Sequence, residues 1–208
     1  MSDNGNSVNM TTASDAAKRG YHHGDLRAAL VEAGLRMLEE RESDDLSLRE
    51  MARMVGVSAT AVYRHFPDKE ALRKALAHAA YDRLGQAQRA AAVGKGDVLD
   101  EFEAMGRAYV RFALDHPALF RLMLSAPAPA DPLALTPDKD DEAARLLRAY
   151  AARLAGEGAS EFKVRTIAMR AWALVHGLAV LMLSGNIPRD EALIDAVVDA
   201  RAFGGYGE

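Results

Sequence analysis

Apolar residues recur along most of this chain three and four positions apart, the spacing that gathers them on one face of an α-helix. No run alternates apolar and polar residues as a half-buried strand would, so the chain is expected to be all-α. A first helix, capped by Asp25, carries Leu26, Ala29, Leu30, Ala33, Met37 and Leu38 on one stripe and ends in an acidic patch of Glu39, Glu40, Glu42, Asp44 and Asp45. A second starts near Leu48, a third covers Ala59 to about Phe66, and a fourth, opened by Asp68, runs to about Ala92, where Gly94-Lys95-Gly96 breaks it. Further helices are expected over Val98 to Asp115 behind a cap at Asp97, over Pro117 to Ser125, from about Asp138 to Ala155, over Ser160 to Ser184, and from Pro188 onward. The proline- and alanine-rich run APAPADPLALTP after Ser125 reads as a loop or lid.

The stretch from Ser47 to Leu72 carries the most specific pattern. The Ser47 hydroxyl can cap a helix, and Glu50 three residues later can reach back to the cap amide. Leu48, Met51, Ala52 and Val55 form the inner stripe, and Gly56 offers the left-handed backbone that ends a helix at little steric cost. Ser58 caps the next helix, which is too short to stand alone and must lean on its neighbours through Val62 and Phe66. Its other side presents Ala59, Thr60, Ala61, Tyr63 and Arg64. Small residues there let the backbone approach a groove, and the polar side chains offer donors to phosphates and base edges. Pro67 stops this helix. Two helices joined by a short glycine turn form a helix-turn-helix, whose second helix enters the DNA major groove.

Charge alone does not single out a nucleic-acid binder. The chain has 26 Lys and Arg against 30 Asp and Glu, a net charge of −4, whereas a basic domain is the usual footprint. Between Leu46 and Ala75 the balance reverses, with six basic residues against three acidic ones. Absence of cysteine excludes disulfides and thiolate chemistry and suits a reducing cytoplasm, where the protein is expected. The longest apolar run, Ala171 to Leu183, has 13 residues and contains His176, short of the ~20 that span a bilayer, so no membrane partner is expected. The first residues are polar and read as a disordered arm, and Lys18 and Arg19 at its end can reach a minor groove.

Ser47 to Leu72 resembles the DNA-binding domain of the TetR family of bacterial transcriptional regulators. The resemblance rests on Leu48, Met51, Ala52, Gly56, Val57 and Ser58, on Val62-Tyr63-Arg64-His65-Phe66, and on Lys69, Glu70 and Leu72, with Tyr21 to Arg27 upstream. Met51 departs from the more usual isoleucine. Trp172, His176 and Gly177, in AWALVHGLA, are similar to the Trp-His-Gly signature of one subgroup of TetR-like C-terminal domains. The resemblance implies a disordered arm over 1–18, a helix-turn-helix domain over 19–67, a linking helix over 68–92 and a C-terminal ligand-binding and dimerisation domain over 93–208. It also implies phosphate contacts from Ser47, Tyr63, His65 and Lys69. Arg19, Tyr21 and Ser58 join that interface, with Ala59, Thr60 and Arg64 as candidates for base edges.

The partners expected are a double-stranded operator with inverted-repeat symmetry, a small-molecule effector and a second copy of the chain. The second copy is expected to meet the last two long helices, the apolar one from Ser160 and the last one, on which Leu193, Ile194, Val197 and Val198 form a seam. Met105, Tyr109, Phe112, Phe120, Met123, Trp172, His176 and Ala179 are expected to converge on an apolar pocket in which Tyr109, Trp172 and His176 supply polar handles. No metal or cofactor is expected. Two alternatives stay open: an all-α enzyme built on a buried His176, and a dimeric adaptor that no longer reads DNA. Against the enzyme, the chain lacks a His-x-x-x-His helix, a serine elbow, a phosphate-cradling glycine loop and a Glu-x-x-His pair.

Overall fold

The computed structural model describes residues 23–41, 46–126 and 141–201. Among them are nine α-helices and no strand: α1 (His23–Arg41), α2 (Leu48–Val55), α3 (Ala59–His65), α4 (Lys69–Ala92), α5 (Val98–Asp115), α6 (Pro117–Ser125), α7 (Glu142–Ala155), α8 (Glu161–Leu183) and α9 (Glu191–Val198). Arg19, Tyr21, the N-terminal arm and all but the first residue of the proline-rich run lie outside the described residues. Three starts differ from expectation. Helix α1 already begins at His23, which places Asp25 within its first turn. Helix α7 begins at Glu142, where the Asp141 carboxylate accepts from the Ala144 amide at 2.8 Å. Helix α9 begins three residues after Pro188, because the Asp190 carboxylate accepts from Ala192 and Leu193 and sets the first turn there.

Local chemistry accounts for the short helices at the N-terminal end. Ser47 accepts from the Glu50 amide at 3.3 Å and Ser58 from the Ala61 amide at 3.2 Å. Gly56 sits at φ 74°, and the amides of Gly56 and Val57 reach back to Arg53 and Ala52, the double bond of a Schellman stop. The Glu50 carboxylate reaches Arg53 at 3.3 Å. A reciprocal capping box is complete at α5, between Asp97 and Asp100. Val62 and Phe66, both essentially unexposed, hold α3 against α1, α2 and α4 through a core that includes Leu30, Met37, Met51 and Leu72.

Helix α4 ties this end to the rest, packing on α1, α5, α6 and α7. Arg83 takes Glu32 at 2.8 Å and Glu39 at 3.3 Å, and His116 reaches Glu39 at 2.9 Å, so part of the acidic patch of α1 sits in a joint with α4 and the α5–α6 corner. Arg73 donates to the Ser125 hydroxyl at 2.6 Å. At Gly85 the start of α7 lies directly on α4: a Cβ there would come 2.5 Å from the Glu142 Cβ and 2.6 Å from the Ala143 amide nitrogen. Asp82 accepts from the Glu142 amide at 3.1 Å, and Arg89 and Arg145 both close on the Glu142 carboxylate.

The stripe on α9 packs in part on its own chain: Ile194 and Val198 are buried, and Leu193 and Val197 are half-buried beside them. Gly106 leaves the slot for Val198, since a Cβ there would lie 2.9 Å from its Cγ1 and 3.3 Å from that of Val175. On the polar side, Arg107 meets Asp195 at 2.9 Å and Arg111 meets Glu191 at 2.7 Å, so α9 is fastened to α5 on both faces. Most of the exposed large apolar side chains lie on α8: Phe162, Met169, Leu174, Val180 and Leu181. Helix α8 as a whole is also long and apolar enough to cross a membrane, unlike its 13-residue inner run, but its other side packs on α5 and α7 as a core helix does.

Candidate nucleic-acid interface and ring cluster

The starts of α2 and α4 come together beside α3. Between them lies a groove of about 500 Å3 lined by Leu46, Ser47, Leu48, Arg49, Tyr63, Pro67, Asp68 and Lys69. Ser47 and Asp68 cap the two helices, each engaged by an amide three residues on, at 3.3 and 2.7 Å. The remaining unpaired amides of a helix start give it a partial positive charge that favours phosphate. Arg49 and Lys69 add full charges at the same rim. Tyr63 stands 48% exposed, although core side chains flank it in sequence, so its phenol is presented rather than packed.

The structure therefore brings Ser47, Tyr63 and Lys69 together at one groove. Thr60 and Arg64 are exposed on the open side of α3, and Ala59 and His65 are half-buried at its two ends. Ser58 caps α3, which engages its oxygen as an acceptor and leaves its proton to donate. Arg49 is a lining residue that sequence reasoning missed. Its place in the first turn of α2, two residues after a capping serine that is itself a candidate contact, is the signal that points to it.

The second site lies between α5, α6 and α8. The Tyr109 phenol and His176 Nδ1 are 2.9 Å apart. Around them Tyr109 meets Phe120 edge-on at 5.8 Å, Phe120 lies 5.8 Å from the His176 ring, and Trp172 meets His176 edge-on at 5.9 Å. Burial pushes the Tyr109 phenol well above its ordinary range, with the Trp172 indole offsetting part of the rise, and burial lowers the pKa of His176. Both shifts favour neutral groups, so the pair is a hydrogen bond rather than an ion pair. Met123 and Ala179 are buried in the same core, and Phe112 turns to His116 at 4.8 Å. Met105 does not join them. It belongs to a second core with Phe102, Leu146 and Ile167, and Trp172 borders both. Gln88 was not foreseen; it is buried on α4 and donates to the Met105 carbonyl at 3.3 Å. A lone polar residue on the inner stripe of a long helix was the available signal. No group of three side chains able to hold a metal occurs among the described residues.

Capped short helices that present polar side chains beside two helix starts, on an all-helical body, form a helix-turn-helix. Residues 30–76 match the bacterial regulatory proteins of the tetR family, and residues 102–201 match the tetracyclin repressor-like C-terminal domain. These two segments together span well over half of the chain, which belongs to the TetR family of bacterial regulatory proteins. An HTH-type transcriptional regulator of Mycobacterium tuberculosis is 32% identical over 117 residues, 54% of this chain and 49% of the relative. The chain thus spans about half the length of the curated relatives it matches. A solved protein with unknown function from Rhodococcus sp. RHA1 is 30% identical, with a TM-score of 0.62, over 91% of this chain and 97% of that one. A TetR variant from Acinetobacter baumannii AYE, solved in complex with minocycline, shares the fold at 18% identity, with a TM-score of 0.57 over 86% of this chain and 95% of that one.

Proposed function

We propose that the protein is a dimeric repressor that leaves an inverted-repeat operator when a small hydrophobic or aromatic effector enters the C-terminal domain. The observation that carries the reading is the groove where Ser47, Tyr63 and Lys69 meet the starts of α2 and α4. There, phosphates would be held by Ser47, Tyr63, His65 and Lys69, with Arg49 added, while Ala59, Thr60 and Arg64 meet base edges. Arg19 and Tyr21 would act from the arm.

Two recognition helices one DNA turn apart, about 34 to 36 Å, require a second copy of the chain. The face that suits it is the exposed stripe on α8. Gly177 lies on that side with open space around its Cα, which lets a partner helix approach closely. From Phe162 to Leu181 the stripe runs roughly 28 Å at 1.5 Å per residue, long enough for α8 to pair with its symmetry mate. Trp172, His176 and Gly177 then serve both faces of one helix, as the resemblance to the Trp-His-Gly subgroup suggests.

The effector site in this reading is the ring cluster, with Tyr109, Phe120, Met123, Trp172 and His176 as its walls and Phe112 and Ala179 behind them. One relative of the same fold was solved with minocycline, which makes a cyclic ligand reasonable here. Helix α4 is the lever, because it joins α1 through Arg83, α6 through Arg73 and α7 through Gly85 and Arg89. An effector acts only through its difference in affinity for two states, and a coupling of about 1 to 3 kcal/mol weakens operator binding roughly 5- to 150-fold.

Gel shifts on a duplex from upstream of the protein's own gene test the DNA half. Lys69→Ala is expected to weaken binding to every sequence and to lower the salt slope by about one, whereas Arg64→Ala relaxes selectivity at one base position by ~1 to 3 kcal/mol. Unchanged affinity and slope in Lys69→Ala would falsify the docking.

A further inference from the structure

We propose that His176 selects the effector by donating a hydrogen bond from Nε2, so that the site takes a small cyclic compound bearing an uncharged carbonyl oxygen. This rests on reading the ring cluster as the effector site. The Tyr109 phenol lies 2.9 Å from His176 Nδ1. With the phenol as donor to that nitrogen, the neutral imidazole accepts at Nδ1 and carries its proton on Nε2. Tyr109 is buried and packed edge-on against Phe120, which keeps its phenol beside Nδ1. His176 Nε2 has no hydrogen-bond partner among the described residues. It is a donor with fixed direction, framed by the Trp172 and Phe120 rings at 5.9 and 5.8 Å.

The charge of the ligand follows from what surrounds this donor. The cations of α5 are engaged elsewhere: Arg107 by Glu103 and Asp195, and Arg111 by Glu191. A carboxylate at His176 would be a buried charge with neither of these cations free to pair with it, whereas a carbonyl carries no charge to desolvate.

Trp172 is the only tryptophan in the chain, so intrinsic fluorescence reports directly on this cluster. The full-length protein is titrated at pH 8 with three probes of one shape that are transparent at 295 nm: 1-cyclohexylethanone, ethylcyclohexane and cyclohexanecarboxylate. The ketone is expected to bind about tenfold more tightly than the other two, the ratio that one added buried hydrogen bond supplies. His176→Phe keeps hydrocarbon binding and loses the ketone preference. His176→Gln, which restores an N–H donor, regains most of it, and Tyr109→Phe, which frees the tautomer, lowers it about threefold. A ketone preference that survives in His176→Phe, or a carboxylate that binds best, overturns the assignment of the donor while the site itself stands. If no probe changes Trp172 emission or operator affinity in the unaltered protein, the effector-site reading falls, and this assignment with it.

Discussion

The two working ends of this molecule are built in opposite ways. At the DNA-facing end the helices are seven and eight residues long, each begun by a serine hydroxyl, and the polar groups that would meet a ligand stand in solvent. Of the residues of α3 and its C-cap, only Val62 and Phe66 are fully buried. In the C-terminal half the helices run to 18 and 23 residues, and the polar groups of the candidate site are turned inward and bonded to one another. The difference matches the ligands. A phosphate chain arrives with its own charge and can be met at the surface by helix starts and cations. A small apolar molecule must be enclosed, so its polar handles have to be held ready inside the fold.

The largest effect should come from the face that neither end uses within one chain. Leu174→Asp combined with Val180→Asp places two charges on the exposed stripe of α8 without touching the core. Sedimentation is expected to show a monomer, and operator affinity should drop about 100-fold or more as the second half-site contact is lost. A stable dimer with normal operator binding would remove α8 from the interface.

Next is the thin core behind α3. Phe66→Ala should cost about 3 to 5 kcal/mol in denaturant titration, and far-UV and fluorescence transitions should separate, because Trp172 lies in the other half. Coincident transitions would mean that α4 transmits the loss to the whole molecule and that the two ends fold as one unit.

The smallest effect tests the caps. Ser58 and Ser160 make the same bond at the same distance, 3.2 Å, one to a helix of seven residues and the other to a helix of 23. Ser58→Ala should cost about 1 kcal/mol and raise hydrogen exchange throughout α3. Ser160→Ala should loosen only the first turn of α8. Equal exchange across both helices would show that packing, not the cap, holds α3.

Much of the N-terminal end was legible because it rests on short-range rules. Ser47, Gly56, Ser58, Pro67 and Asp68 act on residues no more than four positions away, so their spacing reveals the turn, the helix ends and the exposed side of α3. The C-terminal site was only partly legible. Tyr109 and His176 are 67 residues apart, and no pattern within either helix says that they meet. Met105 falls on the same stripe as Tyr109 and yet enters a different core, because Trp172 stands between the two clusters. The α9 seam was legible only in part for a related reason. An apolar stripe announces that it will be covered, and says nothing about whether its own chain or another will cover it.

From sequence alone came the helical class, the helix-turn-helix with its caps and stops, the presentation of Thr60, Tyr63 and Arg64, and the long apolar helix near the end. These follow from hydrophobic period and from side-chain bonds to nearby amides, which are local. Tertiary structure alone decided that Gly106 admits Val198, that Gly85 brings α7 onto α4, that Tyr109 meets His176, and which residues of α8 stay exposed. Each of these depends on which helices lie side by side, and that is settled by how all the apolar faces are buried together in three dimensions.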